Sequence, residues 1–172
     1  MLKISLIIPT KEHETQVKEY IEEHSKYEEN DIHGGALIEK IHYDDWLKQL
    51  ENNSNEKTVN PEWVVASTFF GVADGNIIGM IDIRHTLNQF LRDYGGHIGY
   101  GVRPTERNKG YATEMLKLGL VYCKKIALEK VMLACYKENT ASGRTIEKCG
   151  GILEKEFLYS DGKTVQVYWI DV

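Results

Sequence analysis

A chain of 172 residues, 42% hydrophobic and 27% charged, has the composition of a soluble globular protein, which argues against disordered and fibrous classes. The formal charge is −5, and Lys and Arg are scattered rather than gathered into a stripe, so no nucleic acid partner is expected. The length suits one domain, residues 1–172, able to bury roughly 70% of the surface its unfolded chain exposes.

The opening MLKISLIIPT has an apolar run from Ile4 to Ile8 that Pro9 ends. It is too short for a signal peptide or a membrane span and reads as a first strand, so no membrane partner is expected. KEHETQVKEYIEEHSKY places Val17, Tyr20, Ile21 and Tyr27 among charges, as a solvated amphipathic helix does. After the turn-rich NDIHGGALIEK, a second short helix carries Tyr43, Trp46, Leu47 and Leu50, and ENNSNEKTVNP is a loop. Two β-rich runs flank ADGN, a hairpin signal. The short amphipathic stretch LNQFLRDY precedes the strand GGHIGYGVRP. Residues 111–128 have a helical apolar period, KVMLACY is a strand, and TASGRTIEKCGG is a helix closed by paired glycines. ILEKEFLYS and TVQVYWIDV pair across DGK. The expected class is α+β: a mixed, mostly antiparallel central sheet flanked by helices.

Cys123, Cys135 and Cys149 are odd in number and lack C-x-x-C spacing, so they read as buried thiols of a reducing, cytoplasmic compartment. The six histidines show no H-x-x-x-H or Cys–His spacing, and no metal site is expected.

RNKGYAT, residues 107–113, places a glycine where a strand gives way to a helix. A helix start offers unpaired N–H groups and a favourable potential for anions, and a glycine there lets a phosphate approach without meeting a Cβ. The other reading is a simple turn. Arg107 and Lys109 add cations, and the small residues of GYGV allow another extended chain to lie close. Lys109 precedes Gly110, unlike a Walker loop, and the third glycine of a Rossmann fingerprint is missing.

Arg107, Gly110 and Ala112 in RNKGYA match R/Q-x-x-G-x-G/A, and here the stretch resembles the GCN5-related N-acetyltransferases. The resemblance covers roughly residues 95–152; KTVQVYWIDV and GMIDIRHTLNQFL are also similar to a bacterial subgroup of that family, which adds no substrate. It implies an acyl-CoA N-acyltransferase-like fold with acetyl-CoA as acyl donor. The amides of Arg107, Asn108, Lys109, Gly110, Tyr111, Ala112 and Thr113 would hold the pyrophosphate. The pantetheine would lie along the fourth strand past Tyr100, Gly101 and Val102, with a backbone N–H near Tyr100 or Val102 stabilising the oxyanion, and Asn139 and Ser142 would contact the cofactor. The implied reaction moves an acetyl group to a primary amine, on a small molecule or a peptide, by direct attack on the thioester. A non-catalytic CoA-binding sensor or interaction module is the alternative. The sequence leaves the oligomeric state open, a homodimer included.

Such a reaction needs a neutral amine and a proton for the leaving thiolate. His97 stands where a base or water-ordering group is expected, and otherwise is a hydrogen-bonded histidine. Asp82 is a base, a substrate contact, or the partner of Arg84 on the same strand face, with His85 facing the other way. Glu106 accompanies the loop. The family's thiolate-protonating tyrosine falls at Ile146; Tyr136 could replace it or simply pack, and otherwise solvent or the amine supplies the proton. Tyr43 and Trp46 line an acceptor pocket or belong to the core, and Asp44, Asp45 and Asp82 are compatible with a cationic amine.

Overall fold

The computed structural model describes residues 3–172; Met1 and Leu2, which open the stretch read as the first strand, lie outside the described residues. In chain order the elements are β1 (Ser5–Ile7), α1 (Glu14–Lys26), α2 (Tyr43–Asn53), β2 (Ala66–Ala73), β3 (Asn76–Arg84) and β4 (Ile98–Val102). Then follow α3 (Tyr111–Lys125), β5 (Lys130–Tyr136), α4 (Thr140–Lys148), β6 (Ile152–Leu158) and β7 (Thr164–Asp171). The fold is α+β, with antiparallel sheets flanked by helices, as the alternation of patterns requires.

The β2–β3 hairpin turns on Asp74 and Gly75, both at positive φ, the backbone of the tight turn expected from ADGN. Two elements differ from their patterns. The apolar period of 111–128 outlasts the helix: α3 stops at Lys125, Ala127 turns to φ 62°, and the Leu128 N–H donates to Cys123 O. Ile126 and Leu128 still pack on the core from outside the helix, which explains the longer period. The amphipathic stretch before β4 becomes a π-helical turn, Leu91–Gly95, that buries Leu91.

Strand alternation sorts the core into two clusters. Ile81 and Ile83 of β3 join Met115, Leu116 and Cys123 of α3, Val131 and Leu133 of β5, and Ile146 of α4. Met80 of β3 and Phe70 of β2 instead join Val17 and Tyr20 of α1 and Tyr43 and Trp46 of α2. Trp46 is fully buried, stacks on Phe70, and donates its indole N–H to Gly35 O at 2.9 Å. Tyr43 and Trp46 are therefore core residues, and neither lines the cavity described below.

The strands form two sheets, ordered β1-β2-β3-β4 and β5-β7-β6. They meet where β4 and β5 begin: the His97 N–H donates to Met132 O at 2.7 Å, and the Met132 N–H donates to His97 Nδ1 at 2.9 Å. No ladder joins β4 to β5 beyond this point among the described residues.

Candidate active site

The end of that ladder leaves backbone groups of β4 facing an opening. The Arg84 N–H donates to His97 O, and the Arg103 N–H donates to Ile78 O, so odd-numbered residues of β4 bond to β3. By the two-residue alternation, the N–H groups of Tyr100 and Val102 point the other way, toward β5. The Tyr100 ring reaches across to α4, where its hydroxyl lies 3.0 Å from Ser142 Oγ. Burial pushes the Tyr100 phenol up to about 12.

Past β4 the chain makes two left-handed turns, Asn108 at φ 61° and Gly110 at φ 89°. Gly110 is the N-cap of α3 and no side chain caps that end, so the first amides of a 15-residue helix stay open to a ligand. The glycine is required by its backbone angle, since an L side chain at such φ is strained. Both cations of the loop already have carboxylate partners. Arg107 grips Glu29 through both terminal nitrogens, at 2.5 and 2.7 Å, and gives its Nε–H to Val102 O; Lys109 pairs with Glu106 at 3.0 Å. Glu106 thus stays with the loop. The Arg107 guanidinium, with His24 beside it, holds the Glu29 carboxyl below the usual range.

The small residues of β4, expected to let another extended chain lie close, leave room for other parts of the protein itself. A Cβ at Gly101 would stand 2.7 Å from His33 O, and one at Gly99 would stand 3.3 Å from Arg84 Nη2. The neighbours that need the space are the chain's own His33–Gly34 turn and the Arg84 side chain.

Three residues considered for proton transfer are committed elsewhere. His97 is buried, and its Nδ1 lone pair accepts the Met132 N–H, so the neutral ring carries its proton on Nε2. Burial, aided by the Arg84 charge, pushes His97 down to about 4. Asp82 accepts from Thr68 Oγ1 at 2.8 Å through one oxygen and pairs with Arg84 Nε at 2.9 Å through the other. Tyr136 donates its hydroxyl to Asp161 at 2.7 Å, in the turn between β6 and β7, and that bond pushes it up to about 12. Asn139 caps α4, accepting the Ser142 N–H at 3.2 Å, and Ile146 is a buried core residue. Asp44 pairs with Lys11 and is not part of the cavity lining, nor is Asp45.

A cavity of about 500 Å³ opens on the α1–α2 face of the first sheet. Ala66, Asp82 and Arg84 of β2 and β3 form its base, with Gln49 and Asn53 of α2, Glu62, Trp63 and Val64 before β2, and Phe90 and Leu91 before β4 around it. Sequence reasoning missed Trp63 and Phe90, the half-exposed aromatic residues of this lining; they sit in a loop and a short turn, where no periodicity marks them.

A family model described as an acetyltransferase (GNAT) domain matches residues 8–152. The chain belongs to the GNAT acetyltransferases. Among curated proteins, none matches it significantly. Solved structures with the same fold include RimJ of Mycobacterium smegmatis in complex with CoA-disulfide, at 18% identity and a TM-score of 0.75, covering 98% of this chain and 82% of that one. The microcin C7 self-immunity acetyltransferase MccE, in complex with acetyl-CoA and AMP, is 18% identical over 99% of this chain and 93% of its own, with a TM-score of 0.71. A GNAT-family acetyltransferase from Bacillus anthracis is 20% identical over 99% and 96%, with a TM-score of 0.66. The GNAT match spans both halves of the opening, from before α1 to the first residue of β6. No helix among the described residues is long and apolar enough to cross a membrane.

Proposed function

We propose that this GNAT chain moves the acetyl group of acetyl-CoA to a primary amine, which attacks the thioester directly. The observation that carries the reading is the opening beside β4, lined by the outward N–H groups of Tyr100 and Val102 and leading to the uncapped start of α3. The residues fit the donor in kind. Amides from Asn108 to Thr113 would hold a pyrophosphate, with the helix dipole rather than free cations supplying most of the attraction, because Arg107 and Lys109 are already paired. An outward β4 N–H would stabilise negative charge on the thioester oxygen.

The amine nitrogen bonds to the acetyl carbon, the carbon–sulfur bond breaks, and the products are an N-acetyl amide and the CoA thiol. Asp82, with both oxygens engaged, and His97, with its lone pair engaged, are poorly placed to accept the amine's proton. Water in the cavity takes the first proton, and the nitrogen gives its second to the leaving sulfur. Tyr100 supports that sulfur. A phenol held near 12 is too weak an acid to protonate a thiolate of pKa about 8.5 outright, but, turned from Ser142, whose backbone O and Oγ it faces at 3.4 and 3.0 Å, it would donate a hydrogen bond that strengthens as charge develops. It would take over the role of the hydroxyl that Ile146 lacks.

The test is calorimetric titration with acetyl-CoA, beside dephospho-CoA, ATP and NAD, followed by an amine screen read by thiol release. Micromolar binding of acetyl-CoA and amine-dependent release support the reading; failure to bind acetyl-CoA at millimolar concentration overturns it. Tyr100→Phe should lower kcat by about tenfold or more with KM for acetyl-CoA little changed. The alternative, a non-catalytic CoA-binding module, draws on the absence of a hydroxyl at Ile146 and is eliminated by turnover of any amine above the no-enzyme rate.

A further inference from the structure

The cavity on the α1–α2 face is lined by groups of unlike chemistry whose arrangement bears on the acceptor. Its volume, about 500 Å³, lies within the range of about 300–1,000 Å³ usual for small-molecule sites. Leu37, Trp63, Val64, Phe90 and Leu91 give it an apolar and aromatic side. At its base stands the Asp82–Arg84 pair, and here the two partners differ. Both oxygens of Asp82 are engaged, one by Thr68 and one by Arg84 Nε. The guanidinium is only partly satisfied: Nη1 makes long contacts of 3.4 and 3.5 Å to Gly95 O and Gly96 O. Nη2 has no hydrogen-bond partner among the described residues.

Arginine presents its donors as a planar fork suited to a carboxylate, and a fork with open donors in a half-enclosed cavity is incompletely paired. Its position also matters. The same guanidinium lies against Gly99 of β4, beside the backbone assigned to the thioester. A carboxylate held there brings an amine on the neighbouring carbon close to β4. Glu62, of opposite charge to Arg84, also lines the cavity and has no ion-pair partner among the described residues.

Resting on the acetyl-transfer reading, we infer that the acceptor is an amino-acid-like molecule, a primary amine with a carboxylate on the adjacent carbon and an apolar or aromatic side chain. Arg84 holds the carboxylate, and Trp63 and Phe90 cover the side chain. A protein N-terminus has no carboxylate in that place and is disfavoured.

The experiment titrates CoA-loaded wild-type protein with the apolar and aromatic amino acids, each beside its carboxamide and its decarboxylated amine, and measures kcat/KM for the same sets by thiol release. At least one free amino acid should bind and turn over about tenfold or more better than its amide and its amine. In Arg84→Gln that preference should fall to near unity, and Arg84→Lys should restore part of it; a purely structural role would lower all three ligands alike. Preference for amides or amines, equal binding of all three, binding of none, or a preference that survives Arg84→Gln each overturns the inference. The wild-type comparison stands even if Arg84→Gln does not fold. Failure of the acetyl-transfer reading is separate: acetyl-CoA then fails to bind, while titration without CoA still reports whether the cavity selects the carboxylate.

Discussion

Replacing Gly110 by alanine places a Cβ on a residue at φ 89° and ψ −2°, with the site otherwise unchanged. An L side chain in a left-handed backbone costs about 1–2 kcal/mol, and Gly→Ala at positive φ destabilises even though it stiffens the unfolded chain. The cost can fall in two places. If the loop keeps its shape in the free protein, the loss is in folding, and for a chain of this size about 1–2 kcal/mol lowers Tm by roughly 2–8 °C. If the loop relaxes, folding is spared, the amides ahead of α3 turn aside, and acetyl-CoA binding weakens by the same amount, about 5- to 30-fold. Denaturant unfolding and calorimetric titration of the same variant close the cycle, and the two losses should sum to about 1–2 kcal/mol. Gly110→Asn is the control, because asparagine tolerates left-handed angles and its sum should be smaller. An alanine variant that is as stable as wild type and binds acetyl-CoA as tightly would refute the backbone argument.

Glu29→Gln removes the charge that grips Arg107; the pair is partly exposed, so stability should drop by only about 1 kcal/mol, with acetyl-CoA affinity down about fivefold, both read by titration. His97 contributes a pH dependence whose sign follows from its depressed pKa: between about 4 and 6.5 the unfolded chain binds the proton and the folded one does not. Its contribution is therefore present in full above pH 6.5 and is lost as pH falls toward 4, by about 2 kcal/mol at pH 5. Urea unfolding at pH 7 and 5 should show that much more acid sensitivity in wild type than in His97→Asn; equal sensitivity would show that His97 is not buried neutral. Trp46→Ala should cost about 3–5 kcal/mol in urea unfolding, whereas Trp63→Ala should raise acceptor KM and leave stability within about 0.5 kcal/mol.

The features legible in the sequence are those that neighbouring residues decide. ADGN determines a turn whoever its partners are, and Gly110 can be read as the left-handed opening of a helix because that helix begins at the next residue. The Asp82–Arg84 pair was legible for the same reason, since alternation along one strand sets both on one face. What escaped is long-range. Arg103 and Arg107 meet Glu23 and Glu29 across 80 and 78 residues of chain, and nothing near either end marks the pairing. His97 looks like a base from its type and position; only the approach of Met132, 35 residues on, shows that its lone pair is used to join two sheets. The glycines of GYGV mark room beside a strand, but what stands there is long-range: the Arg84 side chain beside Gly99, and beside Gly101 the turn at His33, from a segment whose sequence says only that it bends.

These long-range contacts explain why the loop ahead of α3 can hold its shape at all. Two left-handed residues two positions apart, in a segment without a buried side chain from Arg103 to Gly110, are not stabilised by local packing. The end of α1 supplies what the loop lacks. Glu23 accepts from Arg103 Nε at 2.8 Å and from the Thr105 N–H at 2.9 Å, and Glu29 holds Arg107 at the other end of the same turn. Behind them the rings of Tyr20 and His24 pack at a tilt of 40° with centroids 4.7 Å apart, and both are buried, backing the two glutamates. Each of these ion pairs is modest by itself, yet one helix end fixes three successive points of the loop, so the ordering entropy is met once rather than three times. On the proposed acetyl-transfer reading the arrangement also bears on how the loop would bind. With Arg107 turned to Glu29, the attraction it would offer a phosphate is that of the backbone amides and the α3 dipole, which depends on loop geometry more than on net charge.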